Sequence, residues 1–158
     1  MNDEVILSVK NLAIEYTADR GQVHAVSGVS FDIHRGEFFG LAGESGCGKS
    51  TMAFAIMQLL KSGAQIVDGT IEFHGKNLLN LSGDEMRQFR WEKTSMVLQS
   101  AMNNLNPVVT IGSQLTDAIL AHEDISMKDA LARARILLEL VNIDPDRISA
   151  YPHELSGG

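Results

Sequence analysis

The octapeptide at residues 43–50, Gly-Glu-Ser-Gly-Cys-Gly-Lys-Ser, has the form GxxxxGK[ST] of a phosphate-binding loop. Its glycines let successive backbone N–H groups turn inward and surround phosphate oxygens. Lys49 supplies a point charge for the β- and γ-phosphates of a nucleoside triphosphate, and the Ser50 hydroxyl offers one ligand to Mg²⁺. Such a loop requires a buried strand before it and a helix after it.

The residues on both sides of the loop have the required character. The apolar run at 37–42 predicts a short strand that is buried on both faces. The run at 51–60 is apolar around most of its circumference and predicts a buried helix, which Lys61-Ser62-Gly63 would end. The N-terminus of this helix adds its dipole to the anion site. The alternative is a glycine-rich turn without a ligand.

Composition limits the class of protein. A chain of 158 residues with 44% apolar and 21% charged residues fits one soluble globular domain. A net charge of −7 without a Lys/Arg block argues against nucleic-acid binding. No apolar run approaches the roughly 20 residues that span a bilayer, and the acidic N-terminus lacks a signal-peptide pattern. The lone cysteine, Cys47, excludes an internal disulfide and fits a reducing compartment.

Alternation of apolar and polar residues predicts antiparallel strands in two regions. The first region is residues 1–36, with a turn at 19–22. Its alternating apolar positions are Leu12, Ile14 and Tyr16, and then Val29, Phe31 and Ile33. The second region is residues 66–80, where Ile71 and Phe73 alternate with polar residues between two glycines.

Three further helices are predicted. Ser82 followed by Glu85 is a capping box and starts a short helix that ends near Phe89. Residues 111–120 are predicted to be helical, and residues 126–141 carry apolar residues at helical spacing. The apolar stripe of the last helix consists of Met127, Ala130, Leu131, Ala134, Leu137, Leu138 and Val141. We expect this stripe to face the core, and the alternative is a surface that docks a partner helix.

A second motif, Leu-Ser-Gly-Gly, stands at residues 155–158. Alone it is weak, because a turn of small residues would look the same. Here it follows the phosphate loop by about a hundred residues, and Gln99 closes an intervening candidate buried strand at 95–99. With these three features in this order, the chain resembles the nucleotide-binding subunit of ABC transporters. Residues 99–107 and 151–158 look like the peptide/nickel importer group, which includes oligopeptide and dipeptide permeases.

The resemblance implies an α/β P-loop NTPase fold with an antiparallel β-subdomain and a partial helical subdomain, without the C-terminal half of the core sheet. Residues 1–158 would be the N-terminal part of one ABC ATPase domain. Its parts would be the β-subdomain at 1–36 and 66–80, the Walker A strand, loop and helix at 37–63, a strand and Q-loop at 94–99, and the helical subdomain at 100–158. The Asn103–Pro107 loop would touch the permease, although a plain connecting loop is the alternative.

The resemblance also implies a site for ATP and Mg²⁺. Lys49 and Gln99 would be the catalytic residues, and Ser50 and Gln99 would reach Mg²⁺. Tyr16 would stack on the adenine ring; the alternative is an aromatic side chain on an edge strand that covers the core. The remaining nucleotide-binding residues would be Gly43, Glu44, Ser45, Gly46, Cys47, Gly48, Lys49, Ser50 and Thr51. Ser156, Gly157 and Gly158 would contact the γ-phosphate held by a second subunit.

The given sequence stops at the fourth residue of the five-residue signature, and we therefore expect a chain truncated before Walker B. The Asp that holds Mg²⁺ and the Glu that serves as general base would both be absent. His153 and Glu154 are no substitutes, because they precede the signature. We expect these residues alone to bind nucleotide weakly at best and not to turn over ATP usefully, since a general base contributes roughly 10²–10⁴ in rate.

The implied function is an ATP-binding subunit that powers import of peptides or nickel from a head-to-tail dimer interface. The implied partners are a second ATPase subunit, transmembrane permease subunits and, indirectly, an extracytoplasmic substrate-binding protein, with no nucleic acid. The implied location is the cytoplasmic face of a prokaryotic inner or plasma membrane. The alternatives are an ABC ATPase with another cargo, a soluble ABC ATPase of DNA maintenance, and a nucleotide-binding regulatory module that does not hydrolyse. The DNA-maintenance class carries long coiled coils, and no heptad run is present here.

Overall fold

The chain divides into two compact units, Met1–Thr94 and Ser95–Gly158. The structure, a computed structural model, describes residues 4–18, 21–98 and 104–155. Each unit has an apolar core of its own. Among the described residues, no helix is long and apolar enough to cross a membrane.

The first unit is built on a four-stranded antiparallel sheet with strand order β2-β1-β3-β4. The strands are β1 (Val5–Ala18), β2 (Gly21–His34), β3 (Ala64–Phe73) and β4 (Lys76–Asn77). Two helices, α1 (Lys49–Ile56) and α2 (Gly83–Glu92), and a 3₁₀ turn at Leu78–Asn80 accompany the sheet. The antiparallel strands predicted from alternation are confirmed. Asp19 and Arg20 of the predicted turn lie outside the described residues.

A bulge in β1 explains why its buried residues do not alternate throughout. Val9 and Leu12 are both buried although they are three positions apart, because the register of β1 against β2 and β3 shifts between them. Asn11 adopts a left-handed conformation at φ +49°. Gly69 on β3 has φ +93°, and a Cβ atom there would lie 2.5 Å from the Lys10 carbonyl oxygen, so a glycine is required. The bulge keeps one face of β1 turned to the core on both sides of it.

The core of the first unit lies between one face of the sheet and the two helices. The sheet contributes Val9, Leu12, Ile14, Val26 and Ile71, and the 3₁₀ turn contributes Leu78. The helices contribute Met52 and Ala55 from α1, and Met86 and Phe89 from α2. Burial of each large apolar side chain stabilises the unit by about 1.5–3 kcal/mol, and this packing fixes the start of α1 against the sheet.

The two predicted buried strands are not found. Residues 37–42 form no strand and are exposed, and Phe38 is fully exposed. Residues 95–98 also form no strand, and Val97 is 89% exposed. A strand requires a neighbour for its ladder of hydrogen bonds, and no strand of the described residues pairs with either segment. The apolar composition of these segments was read correctly, but the burial inferred from it was wrong.

Helix α1 ends four residues earlier than the predicted end at residue 60. The Gln58 N–H donates to the Ala55 carbonyl at 3.0 Å, and the Leu59 N–H donates to the Phe54 carbonyl at 2.8 Å. Gln58 itself is left-handed at φ +49°. This pair of bonds is a Schellman motif, which usually places glycine where Gln58 stands. The predicted stop at Gly63 was therefore too late.

Arg90 of α2 also satisfies the end of α1. Its guanidinium donates to the carbonyl oxygens of Met57 at 2.8 Å and Gln58 at 2.7 Å. These carbonyls have no partner within the helix, and the helix C-terminus carries partial negative charge, so a cation is favourable there. Arg90 thereby ties α2 to the helix that follows the phosphate loop.

The capping box predicted at the start of α2 is confirmed. The Glu85 N–H donates to the Ser82 hydroxyl at 3.3 Å, and the Ser82 N–H donates to the Glu85 carboxylate at 2.9 Å. Lys76 of β4 donates to the other carboxylate oxygen at 2.8 Å. The hydrogen bond from Lys76, followed by those from Ser82, lowers the pKa of Glu85 from 4.5 to about 2.

These contacts predict a pH-dependent contribution to stability from Glu85. Because its folded pKa is lowered, the contribution is fully present above about pH 4.5 and is lost as the pH falls toward 2. We expect Ser82→Ala to lower the free energy of unfolding by about 1 kcal/mol at neutral pH. Glu85→Gln should remove part of the acid dependence between pH 4.5 and 2, measured by urea unfolding at several pH values. An unchanged acid slope in Glu85→Gln would contradict this assignment.

The second unit consists of short helices around a small core. They are α3 (Ile111–Leu120), α4 (Met127–Leu140) and 3₁₀ turns at Pro145–Ser149 and Pro152–Glu154. The core consists of Ile111, Ile119, Ala130, Ala134, Leu138 and Ile148. Helix α3 has its predicted bounds, and α4 starts after Ser126, whose hydroxyl accepts the Asp129 N–H at 3.2 Å.

The core-facing stripe of α4 is narrower than the sequence predicted. Of the seven stripe residues, Ala130, Ala134 and Leu138 are buried. The other four are exposed, namely Met127, Leu131, Leu137 and Val141. The core prediction is therefore confirmed for three positions and wrong for four, because the small core of this unit meets α4 along one row of residues only.

Candidate functional site

The phosphate loop ends at Gly48, which is the N-cap of α1. Gly48 has φ +95°, and a Cβ atom there would lie 2.5 Å from the Ala25 carbonyl oxygen and 3.1 Å from Val26 Cγ2. The loop is therefore seated directly on the backbone of β2. Any residue larger than glycine would have to push the loop and the strand apart.

The start of α1 is suited to an anion. No side chain caps it, and its first turn contains no acidic residue. The first backbone N–H groups of a helix lack partners within the helix, and the dipole places partial positive charge there. Gly46 (φ +82°) has open space on its side-chain face, whereas a Cβ atom on Gly43 (φ +155°) would lie 2.7 Å from Cys47 Sγ. Open space beside Gly46 and the lack of an acidic residue in the first turn therefore favour an anion at this end of α1.

The Lys49 side chain is hydrogen-bonded to the backbone of the phosphate loop. Its Nζ donates to the carbonyl oxygens of Gly43 at 2.7 Å and Glu44 at 2.6 Å, and it lies 3.4 Å from Cys47 Sγ. The ammonium group therefore donates two hydrogen bonds to backbone carbonyl oxygens of the loop. Carbonyl oxygens compete weakly with phosphate oxygens for an ammonium, since hydrogen bonds between charged groups are stronger. Exchange of these partners for an anion would be favourable.

Tyr16 of β1 lies beside the start of α1. Its hydroxyl oxygen is 3.4 Å from Thr51 Oγ1, and both residues are half-buried. Ser50, between Lys49 and Thr51, is exposed in the first turn. The structure therefore brings together Tyr16 and the predicted nucleotide-binding residues of the loop.

Four of the predicted site residues, Gln99, Ser156, Gly157 and Gly158, lie outside the described residues. Within the described part of the chain, no group of three or more His, Cys, Asp or Glu side chains could hold a metal ion.

Sequence reasoning missed two contributors to the site. Ala25 supports the loop through its carbonyl oxygen and shows no signal in the sequence, because the contact is made by its backbone. Arg90 holds the far end of α1, and a lone arginine on a short helix is not distinctive. Only the folded chain reveals either role.

The glycine loop that ends at the start of α1 has the sequence of a P-loop, which is a nucleotide-binding element. The profile of the family described as ABC transporter matches residues 26–158. The chain therefore belongs to the ABC transporter family, and the predicted family and fold class are confirmed.

Curated relatives are named as transport ATP-binding proteins. The chain is 47% identical over 158 residues to the dipeptide transport ATP-binding protein DppD of Bacillus subtilis (strain 168), covering 98% of this chain and 47% of the relative. It is 37% identical to the oligopeptide transport ATP-binding protein OppD of Escherichia coli (strain K12) over 157 residues, covering 98% and 46%. The chain thus spans about half the length of the curated relatives it matches.

Solved structures agree in fold. The ATP-binding cassette MJ0796, in a dimeric post-hydrolysis state bound to ADP and Pi, matches with a TM-score of 0.79 and 25% identity. That match covers 96% of this chain and 63% of the cassette. A second dimeric structure of the same cassette matches with a TM-score of 0.77 and 26% identity.

Proposed function

We propose that this chain is part of an ATP-binding subunit that powers the import of peptides through a membrane transporter. The observation that carries the proposal is the uncapped start of α1, where the glycine loop and the Lys49 ammonium together form a site for phosphate. The names of the relatives support ATP as the nucleotide and peptides as the cargo. Nickel remains the second candidate cargo, on the resemblance of residues 99–107 and 151–158.

Each residue of the site has a proposed task. Lys49 would contact the β- and γ-phosphates, and the loop N–H groups would surround them. Ser50 would hold Mg²⁺, which when bound neutralises phosphate charge. Tyr16 would stack on the base, which requires only an accessible ring face. Gln99 would reach the metal and the attacking water.

The proposed assembly is a head-to-tail dimer on the cytoplasmic face of a prokaryotic membrane. Ser156, Gly157 and Gly158 of one subunit would meet the γ-phosphate bound by the other, which is identical or similar. The dimeric state of the matched cassette supports this arrangement. The permease subunits would respond to the meeting of the two ATP-binding subunits, and an extracytoplasmic binding protein would deliver the cargo. The net charge of −7 supports the absence of a nucleic-acid partner.

We predict that a polypeptide of these 158 residues alone releases phosphate from ATP no faster than its Lys49→Ala variant. Its sequence offers no acidic pair after a core strand that could hold the metal and activate water, and the loss of a general base costs roughly 10²–10⁴ in rate. A phosphate-release assay with excess Mg·ATP measures this. Release clearly above that of Lys49→Ala would contradict the prediction.

The transport proposal is tested in the cells that make the protein. Lys49→Ala on the chromosome should abolish growth on a dipeptide as sole source of a required amino acid. Lys61→Ala, an exposed lysine beyond the end of α1, should leave growth unchanged. If Lys49→Ala cells grow normally on the dipeptide but lose nickel uptake, the cargo is nickel and not a peptide. Normal uptake of both would contradict the transport role of this chain.

A further inference from the structure

We propose that Thr51 is a positioning residue that holds the Tyr16 ring in the orientation that the base needs. This inference rests on the proposed function, because it takes the loop around Lys49 as the phosphate site. The contact that carries it joins the Tyr16 hydroxyl to Thr51 Oγ1 at 3.4 Å, between residues 35 positions apart in the sequence.

The backbone of Tyr16 is fixed from both sides. In the sheet Tyr16 pairs with Val23 of β2 and with Ala64 of β3. The next residue, Thr17, donates its N–H to the Gly63 carbonyl at 2.8 Å. The remaining freedom of Tyr16 is rotation of its side chain, and the bond to Thr51 restrains that rotation at the far end of the ring.

The Tyr16 ring is half-buried, and none of the described ring pairs, such as Phe31 with Phe39 and Phe73 with Phe89, involves it. A base stacks on an aromatic side chain through its π-face and without a requirement for particular hydrogen bonds. A ring that is already held in place binds a base better than a mobile ring, because less side-chain freedom is lost on binding.

Thr51 belongs to the same helical turn as Lys49 and Ser50. The hydroxyl that restrains the tyrosine is therefore attached to the turn that would hold the phosphates. The 3.4 Å separation is long for two hydroxyl groups, whose usual distance is about 2.7–2.8 Å. The contact is therefore weak, and its expected contribution to ATP binding is that of one hydrogen bond at most.

The test is a double-mutant cycle on the protein as its cells make it. Dissociation constants are measured by calorimetry for ATP and for inorganic tripolyphosphate, which has phosphates and no base. Tyr16→Phe keeps the ring and removes the hydroxyl. It should raise the dissociation constant for ATP about fivefold, which is the effect of losing one hydrogen bond. Tripolyphosphate should bind unchanged. In a Thr51→Val background, Tyr16→Phe should have no further effect on ATP, and Thr51→Ser should restore wild-type binding.

Thr17→Val is the matched control, because it removes a hydroxyl from the neighbouring strand residue, whose side chain lies on the opposite face. It should leave both dissociation constants unchanged. Equal loss of ATP and tripolyphosphate in Tyr16→Phe, or multiplication of the two single effects in the double variant, would overturn the positioning role. Tripolyphosphate binding that Lys49→Ala does not weaken would overturn the proposed phosphate site itself, which separates the two failures.

Discussion

Replacement of Gly48 by alanine is expected to lower the free energy of unfolding of the first unit by about 3 kcal/mol. A left-handed conformation costs an L-residue roughly 1–2 kcal/mol, and overpacking costs roughly 1–3 kcal/mol more. Both apply here, since Gly48 has φ +95° and its Cβ would lie 2.5 Å from the Ala25 carbonyl oxygen. Nucleotide binding should be lost with it, because the loop cannot stay seated on β2.

Gly46→Ala is the matched comparison. Gly46 is also left-handed, at φ +82°, but a Cβ atom there meets nothing within 4 Å. It should therefore show the backbone cost alone, roughly 1–2 kcal/mol. Urea unfolding of the two variants measures the difference. Equal destabilisation by the two substitutions would mean that the contact with Ala25 does not constrain the loop.

A polypeptide of these 158 residues is expected to self-associate in solution. Phe38 is fully exposed, and Phe39 and Leu41 are each about 40% exposed, in a segment that pairs with no strand of the described sheet. An apolar segment with unpaired backbone groups readily pairs with another chain. Light scattering coupled to size exclusion should give dimers or larger species at micromolar concentration.

Charged substitutions test whether the apolar segment at residues 37–42 causes the self-association. Phe38→Lys combined with Leu41→Lys should shift the polypeptide toward monomer, because charge opposes pairing of an apolar segment. Val67→Lys is the matched control, since Val67 is also about half exposed but belongs to the paired strand β3. A monomeric parent polypeptide, or an equal effect of Val67→Lys, would contradict this assignment.

Local chemistry was predictable from the sequence, and pairing across the chain was not. Ser82 and Glu85 lie three residues apart, and helix caps act over that distance, so the start of α2 could be predicted. The strand predicted at 37–42 failed because apolar composition indicates what would be buried, while burial itself requires a partner strand. The end of α1 failed because Gln58 takes a conformation that usually belongs to glycine.

In the candidate site too, some features could be predicted from the sequence and others depend on the fold. The loop motif specifies its own residues, because each has a chemical task at a fixed spacing. The closeness of Tyr16 to Thr51 could be expected only through resemblance to a family, since β1 and α1 meet through the fold of the sheet. The internal hydrogen bonds of Lys49 to Gly43 and Glu44 and the support of Gly48 by Ala25 depend on backbone positions that no residue pattern encodes.

The central claim is that the Lys49 loop binds the phosphates of ATP. The most direct measurement is the dissociation constant for Mg·ATP of the protein as its cells make it, compared with Lys49→Ala and with Lys61→Ala. A hydrogen bond between charged groups contributes roughly 1.5–3 kcal/mol, so Lys49→Ala should weaken binding about 10- to 100-fold. Lys61→Ala should bind as the parent does. Equal ATP affinity in all three proteins would contradict the claim and place the nucleotide elsewhere.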